Sequence, residues 1–228
     1  MNSVPGIRRR AIIDLDAFAT NLANRDIDRP LDLRADAYGH GLGLVAPVAR
    51  AAGIPRVVVA DDAAAAVMRG VGYGAGEIEV GWFPGDLSTA EYGTNAGSTP
   101  VMSLVGEVIA VKHVGAGAGV SYGYTYRTTQ PTTLALIGLG YADGVPRLAS
   151  NEAPVLVGSR IHRVAGRVAM DQLVVDCGDD DPELGADAVL FGDPARGEPS
   201  LQDWARATRR TGLDLTAGVG FRVERVVR

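Results

Sequence analysis

The sequence predicts an α/β segment followed by an all-β segment, and three observations carry that prediction. Over the first hundred residues short apolar runs alternate with helical patterns, the spacing of βαβ units around a parallel sheet. Residues 85–100, GDLSTAEYGTNAGSTP, are rich in Gly, Ser, Thr and Asn and read as a linker. Beyond them the alternation gives way to short β runs broken by Gly and Pro turns, with one convincing helix. The boundary falls near residue 99 and divides the chain into 1–98 and 99–228.

In order, AIIDL (11–15) reads as a buried strand and DAFATNLANR as a short amphipathic helix after it. LDLRADAY (31–38) is the second strand, and GLGLVAPVARAAG (41–53) is a helix carrying Pro47 and stopping at Gly53. RVVVA (56–60) is the third strand, DDAAAAVMRGVG an Ala-rich helix, and EIEVGWF (77–83) the fourth strand. After the linker, ALIGLG, PVLVGS and HRVAGRVAMDQLVVD read as strands. The helix is SLQDWARATRRTG (200–212), with Ser200 and Asp203 spaced as a capping box and Gly212 as its stop. The last run, LTAGVGFRVERVVR, has the look of closing strands.

The net charge of −5 argues against a nucleic-acid partner, and Arg8, Arg9 and Arg10 read as a solvated face before the first strand. No apolar run reaches the roughly 20 residues of a membrane span, and MNSVPGIRRR lacks the order of a secretory signal, so the expected location is cytoplasmic. The single cysteine, Cys177, reads as core filler, and Asp179, Asp180 and Asp181 as an acidic turn. Of 22 basic residues only Lys112 is a lysine, so chemistry that needs an amine has one side chain to draw on.

Tyr, Arg and Asp concentrate among glycines between residues 119 and 172. Tyr122, Tyr141, Arg147, Arg167, Met170 and Asp171 fall at or beside the turns of that stretch, where a β scaffold presents side chains to a ligand. GVSYG (119–123) also satisfies G-x-S-x-G, with Asp143 and His162 following in the order of a serine hydrolase. That motif needs a strand, a sharp turn and a helix, and the YGYTYRTTQPTT that follows Ser121 has no helical period.

LRADAYGHG (33–41), GEVIAVKHVGAGAGVSYG (106–123), GLGYADGVPR (138–147) and GRVAMDQ (166–172) together resemble the successive motifs of alanine racemases, pyridoxal-phosphate enzymes of bacterial wall synthesis. The resemblance implies a TIM-type barrel that carries the cofactor lysine, a C-terminal β-barrel-like domain, and a head-to-tail dimer. It implies that Tyr122 is one of two bases, that Met170 and Asp171 lie beside the substrate carboxylate, that Tyr141, Arg147 and Arg167 line the substrate entrance, and that Tyr38 contacts the cofactor phosphate.

Arg34 then stands where the family has its lysine. A guanidinium stays charged in proteins, so it neither condenses with the aldehyde nor accepts a proton, and Lys112 falls on a strand of the β domain. The segment before residue 99 also has room for about four of the eight strands of a barrel. The expectation is a partial, about half, TIM-type barrel followed by the β domain, with no covalent pyridoxal phosphate and no racemase activity in isolation. An active racemase converting L-alanine to D-alanine is the alternative. Strands 11–15 and 77–83 would have open edges, which self-association or a full-length racemase subunit would cover.

Overall fold

The computed structural model describes residues 6–82, 90–94 and 97–228, so residues 85–89 and 95–96 of the expected linker lie outside the described residues. Strand β1 (Arg9–Ile13) leads into helix α1 (Leu15–Ala23), which Asp14 caps by accepting from the Ala17 amide at 2.8 Å. There follow β2 (Leu31–Asp32), a short turn α2 (Arg34–Tyr38), α3 (Leu42–Ala51), β3 (Val57–Val59), α4 (Asp62–Gly70) and β4 (Ile78–Val80). Helix α3 takes Pro47 in its interior, and Asp61 caps α4 through the Ala64 amide at 2.9 Å. Strands β2, β3 and β4 pair in parallel in that order. Val57, Val58 and Val59 are fully buried, as a parallel strand covered on both faces requires.

The second sheet draws on β5 (Met102–Val114), β8 (Thr132–Ile137), β9 (Pro154–Val157), β10 (Arg160–Val164), β11 (Leu173–Gly178) and β12 (Asp187–Phe191), with a small hairpin of β6 (Gly119–Val120) and β7 (Tyr126–Arg127) between β5 and β8 in sequence. The order β12-β9-β10-β11-β8-β5 closes on itself because β12 also pairs with β5, giving a barrel; β6 and β7 stand apart as their own ribbon. Helix α5 (Leu201–Thr208) lays the fully buried Trp204 edge-on to Phe191, with Nε1 donating to the Pro154 carbonyl at 2.8 Å. Helix α6 (Gly212–Ala217) and β13 (Glu224–Val227) complete the chain. Among the described residues no helix is long and apolar enough to cross a membrane.

Four expectations are corrected. The first strand does not open the parallel sheet: β1 lies between β5, antiparallel, and β13, parallel, so it extends the barrel sheet and leaves three strands where four were expected. A buried apolar run has the same pattern in either setting, which is why the sequence does not separate them. With β1 paired on both sides, the open edge expected there does not exist. Secondly, LDLRADAY is a strand for only two residues, after which Ala35, Asp36, Ala37 and Tyr38 take φ of 50–54°. Left-handed backbone in four successive non-glycine residues costs about 1–2 kcal/mol each, so the surroundings must hold it. Thirdly, Gly212 does not stop α5, which ends at Thr208; it begins α6, capped by Thr211 and Asp214 in a second capping box, so LTA is helical rather than strand. Lastly, Arg8, Arg9 and Arg10 pair with Glu107, Asp143 and Asp187 at 3.5, 3.3 and 2.5 Å rather than forming a free solvated face.

The two sheets meet through α2 and α6. Gly39, at φ +82°, approaches so closely that a Cβ would stand 2.0 Å from the Thr216 carbonyl oxygen. Arg225 of β13 donates to the Gly39 carbonyl at 3.0 Å and to three carbonyls between Val219 and Val223.

Candidate functional site

Three loops and the hairpin gather at one end of the barrel. The loop after β8 lies on the loop before β11: the Tyr141 amide donates to the Ala169 carbonyl at 3.0 Å and the Ala142 amide to that of Met170 at 2.9 Å. Gly140 permits this, since a Cβ there would stand 2.3 Å from the Met170 oxygen. Asp143 has no exposed surface; its Oδ2 accepts from the Gly140 amide at 2.9 Å, and its Oδ1 faces Arg9 Nε at 3.3 Å and Arg222 Nε at 3.2 Å. Arg222 reaches on to Asp171, Nη2 to Oδ1 at 2.7 Å, a bond that raises the arginine's pKa further. One guanidinium thus sets the orientation of Asp171 from a buried anchor.

On the other side the hairpin brings Tyr122, 79% exposed, over the β10–β11 loop. The Arg167 guanidinium carbon is 6.0 Å from its ring centroid, a cation–π contact. Ser150 and Asn151 support the same loop, accepting from the Val168 amide at 3.0 Å and the Gly166 amide at 2.6 Å. Thr125, Arg147, Leu148, Ser150, Asn151 and Arg167 line a cavity of about 440 Å³. Among the described residues neither Arg147 nor Arg167 pairs with a carboxylate.

The structure therefore gathers Tyr122, Tyr141, Arg147, Arg167, Met170 and Asp171 at one end of the barrel, with Tyr122, Tyr141 and Met170 exposed. Arg34 and Tyr38 belong to a second cluster, at the C-terminal end of β2. Both oxygens of the buried Asp32 are taken up there: Arg34 gives Nε to Oδ1 at 2.9 Å and Nη2 to Oδ2 at 2.8 Å, and the Tyr38 hydroxyl donates to Oδ2 at 2.5 Å. Burial pushes the Asp32 carboxyl up, but the bonds from Arg34 and Tyr38 outweigh it and hold it below the usual range. Burial, then the bond to Asp32, pushes the Tyr38 hydroxyl up to about 12. The bond to Asp32 also raises the Arg34 pKa above its ordinary value. The Tyr92 hydroxyl donates to the Asp32 carbonyl at 2.5 Å, and His40, held near 4 by burial, packs its ring 4.9 Å from that of Tyr92.

The serine-hydrolase reading fails on geometry. Ser121 stands in a β-hairpin rather than before a helix, and its hydroxyl donates to the Arg167 carbonyl at 2.6 Å. Asp143 is committed to Gly140 and two arginines, and His162 lies 3.2 Å from Asp180. Cys177 is buried with its thiol pushed up to about 12 by that burial, as core filler should be. Asp180 and Asp181 face Arg160, His162 and His113, and no metal-ligand cluster occurs among the described residues.

Sequence reasoning missed Asp32, Asp143 as an anchor, and Arg222. Asp32 left a signal, an acidic residue inside an apolar strand two positions from an arginine. Arg222 left none, because its partners are 51 and 79 residues away.

Comparison with known proteins now bears on this arrangement. The family described as alanine racemase, C-terminal domain, matches residues 101–227. The alanine racemase of Streptomyces coelicolor is 53% identical over 138 residues, covering 60% of this chain and 35% of that protein. That of Mycolicibacterium smegmatis is 50% identical over 111 residues, covering 48% and 28%. The chain thus spans about a third of the length of the curated relatives it matches. Among solved structures, alanine racemase from D-cycloserine-producing Streptomyces lavendulae superposes with a TM-score of 0.85 at 26% identity, over 99% of this chain and 98% of that one. The racemase of Bartonella henselae, solved with covalently bound pyridoxal phosphate, shares the fold at a TM-score of 0.80 and 17% identity, over 98% and 100% of the two chains.

Proposed function

This chain belongs to the alanine racemase family, and on that premise we propose that it is a homologue without racemase activity of its own, whose barrel supplies substrate-side residues to a site completed by another subunit. The observation that carries the proposal is the state of Arg34. Pyridoxal phosphate, where bound, would supply an electron sink for the α-carbon of an amino acid, and holding it covalently would require an amine from the protein. Arg34 offers a guanidinium that stays protonated and whose Nε and Nη2 are bound to Asp32. The Tyr38 hydroxyl, the expected phosphate contact, is turned to the same carboxylate. The residues present do not fit a covalently held cofactor.

The other half of the proposal rests on the barrel end. Tyr122 is exposed and free to enter a neighbouring subunit as a base, with Met170 and Asp171 beside the substrate carboxylate and Tyr141, Arg147 and Arg167 at its entrance. The working unit is residues 99–228 together with β1. Family members are typically homodimers; the partner here is a second copy or a full-length racemase subunit.

Two measurements test this. The isolated chain mixed with pyridoxal phosphate is expected to give no internal-imine absorbance and no L-to-D alanine conversion; either signal would establish the rival reading, an active racemase. Mixed with a full-length alanine racemase whose own C-terminal tyrosine base has been replaced by phenylalanine, the chain should restore turnover, and Tyr122→Phe should remove the restoration. No recovery at any mixing ratio would end the complementation half of the proposal.

A further inference from the structure

Asp32 has no exposed surface, yet its two oxygens meet four donors: the Arg34 amide at 3.1 Å, Arg34 Nε and Nη2, and the Tyr38 hydroxyl. A carboxylate buried in this way holds the cation at position 34 in its charged form, because discharging that cation would leave an unpaired ion in a medium that solvates it poorly. We propose that Asp32 itself bars this site from aldehyde chemistry, so that exchanging Arg34 for lysine would place an ammonium on the carboxylate rather than a reactive amine. The functional meaning of this inference rests on the reading of Arg34 above. The electrostatics it asserts belong to this chain whatever that reading's fate.

The step at issue is imine formation. The lone pair of a neutral nitrogen adds to the aldehyde carbon, and water leaves with the carbonyl oxygen and both nitrogen hydrogens. A hydride donor then reduces the C=N carbon while solvent returns a proton to nitrogen, fixing the product as a secondary amine. An ammonium has no lone pair and waits on deprotonation. Its reactivity relative to another lysine of the same chain therefore reports the difference in their charge, tenfold for each pKa unit between them.

The chain carries its own reference. Lys112 is its only lysine and is exposed on β5. Arg34→Lys and Asp32→Asn/Arg34→Lys variants, treated with formaldehyde and cyanoborohydride, are mapped by peptide mass for methylation at residue 34 relative to Lys112. Formaldehyde is small enough that no cofactor pocket is needed. At pH 8 the single variant should be modified at residue 34 about tenfold less than at Lys112 or lower, and the ratio should climb as pH rises to 10.5. Adding Asp32→Asn should raise the pH 8 ratio about tenfold. Equal modification of the two lysines in the single variant, or a ratio that stays flat with pH and so reports steric shielding, would overturn the proposal. A ratio indifferent to Asp32→Asn in a variant that still unfolds cooperatively would do the same. If the double variant does not fold, the pH profile of the single variant decides alone. Racemase activity in the unaltered chain would defeat the proposed function without touching this outcome.

Discussion

Arg34 turns its guanidinium onto a fully buried carboxylate, whereas Arg147 and Arg167 face a cavity of about 440 Å³ whose lining contains no acidic side chain. The residue type is the same and the local accounting is opposite. At Arg34 the charge is neutralised within the chain and both nitrogens of one edge are used, so the group contributes to structure. At the barrel end Arg147 and Arg167 are exposed and have no carboxylate partner among the described residues, so they contribute little to stability and remain available to an anionic ligand. The same division runs through the tyrosines: the Tyr38 and Tyr92 hydroxyls close on Asp32, while Tyr122 is nearly free. What the family resemblance groups as one active site is, in this chain, one closed half and one open half.

The sharpest way to break that contrast is to open the closed half. Arg34→Ala strands a buried carboxylate and is expected to cost about 3–5 kcal/mol of unfolding free energy in urea titrations; a loss under about 1 kcal/mol would mean the pair is not structural. Next in size, Gly140→Ala forces a methyl group against the Met170 and Ala169 carbonyls and should cost about 1–3 kcal/mol. It should also disturb the Tyr141 and Met170 resonances together, which separate loops would not do.

A pH series refines the first result. The folded Asp32 carboxyl is held below its usual range, so its stabilisation is fully present above the unfolded value of about 4 and is lost as pH falls through the lower folded value. Without Arg34, burial dominates and the folded value rises above the unfolded one, so the variant regains stability on acidification. The gap between native and Arg34→Ala proteins should narrow by on the order of 1 kcal/mol between pH 7 and pH 4.5; a constant gap would remove Asp32 from the explanation. The smallest effect belongs to the open half. Arg147→Ala/Arg167→Ala should leave stability within about 0.5 kcal/mol of native, and a larger loss would show that these side chains have partners after all.

Much of this was legible in advance, and the gaps have physical causes. The helices α1, α3 and α4 are readable from pattern and composition, the caps Asp14 and Asp61 emerge only in the fold, and the Ser200–Asp203 capping box is present as expected. Thr211 and Asp214 carry the same signal for α6, but Gly212 between them reads equally well as an end, and the fold makes it a beginning. The left-handed turn at residues 35–38 was hidden because no glycine marks it; its backbone is held by Asp32 and by Asp36, whose carboxylate caps Leu42 at 2.7 Å, and these bonds appear only once the chain is folded. That the barrel-end residues sit at turns is legible in the sequence and their proposed roles come from the resemblance, whereas Arg222 and Asp143 pair across 79 residues, beyond any local pattern.

The placement of β1 carries a lesson about how the molecule assembles. Arg10 aligns with Glu224 and Ile13 with Val227, so β1 finds one of its two neighbours more than two hundred residues further along the chain. A pairing so distant in sequence is slow to form, and until it does the edge of β1 is exposed to any passing strand. Synthesis interrupted before residue 224 would leave that edge without its parallel neighbour, making the early product prone to aggregation in a way the finished fold is not.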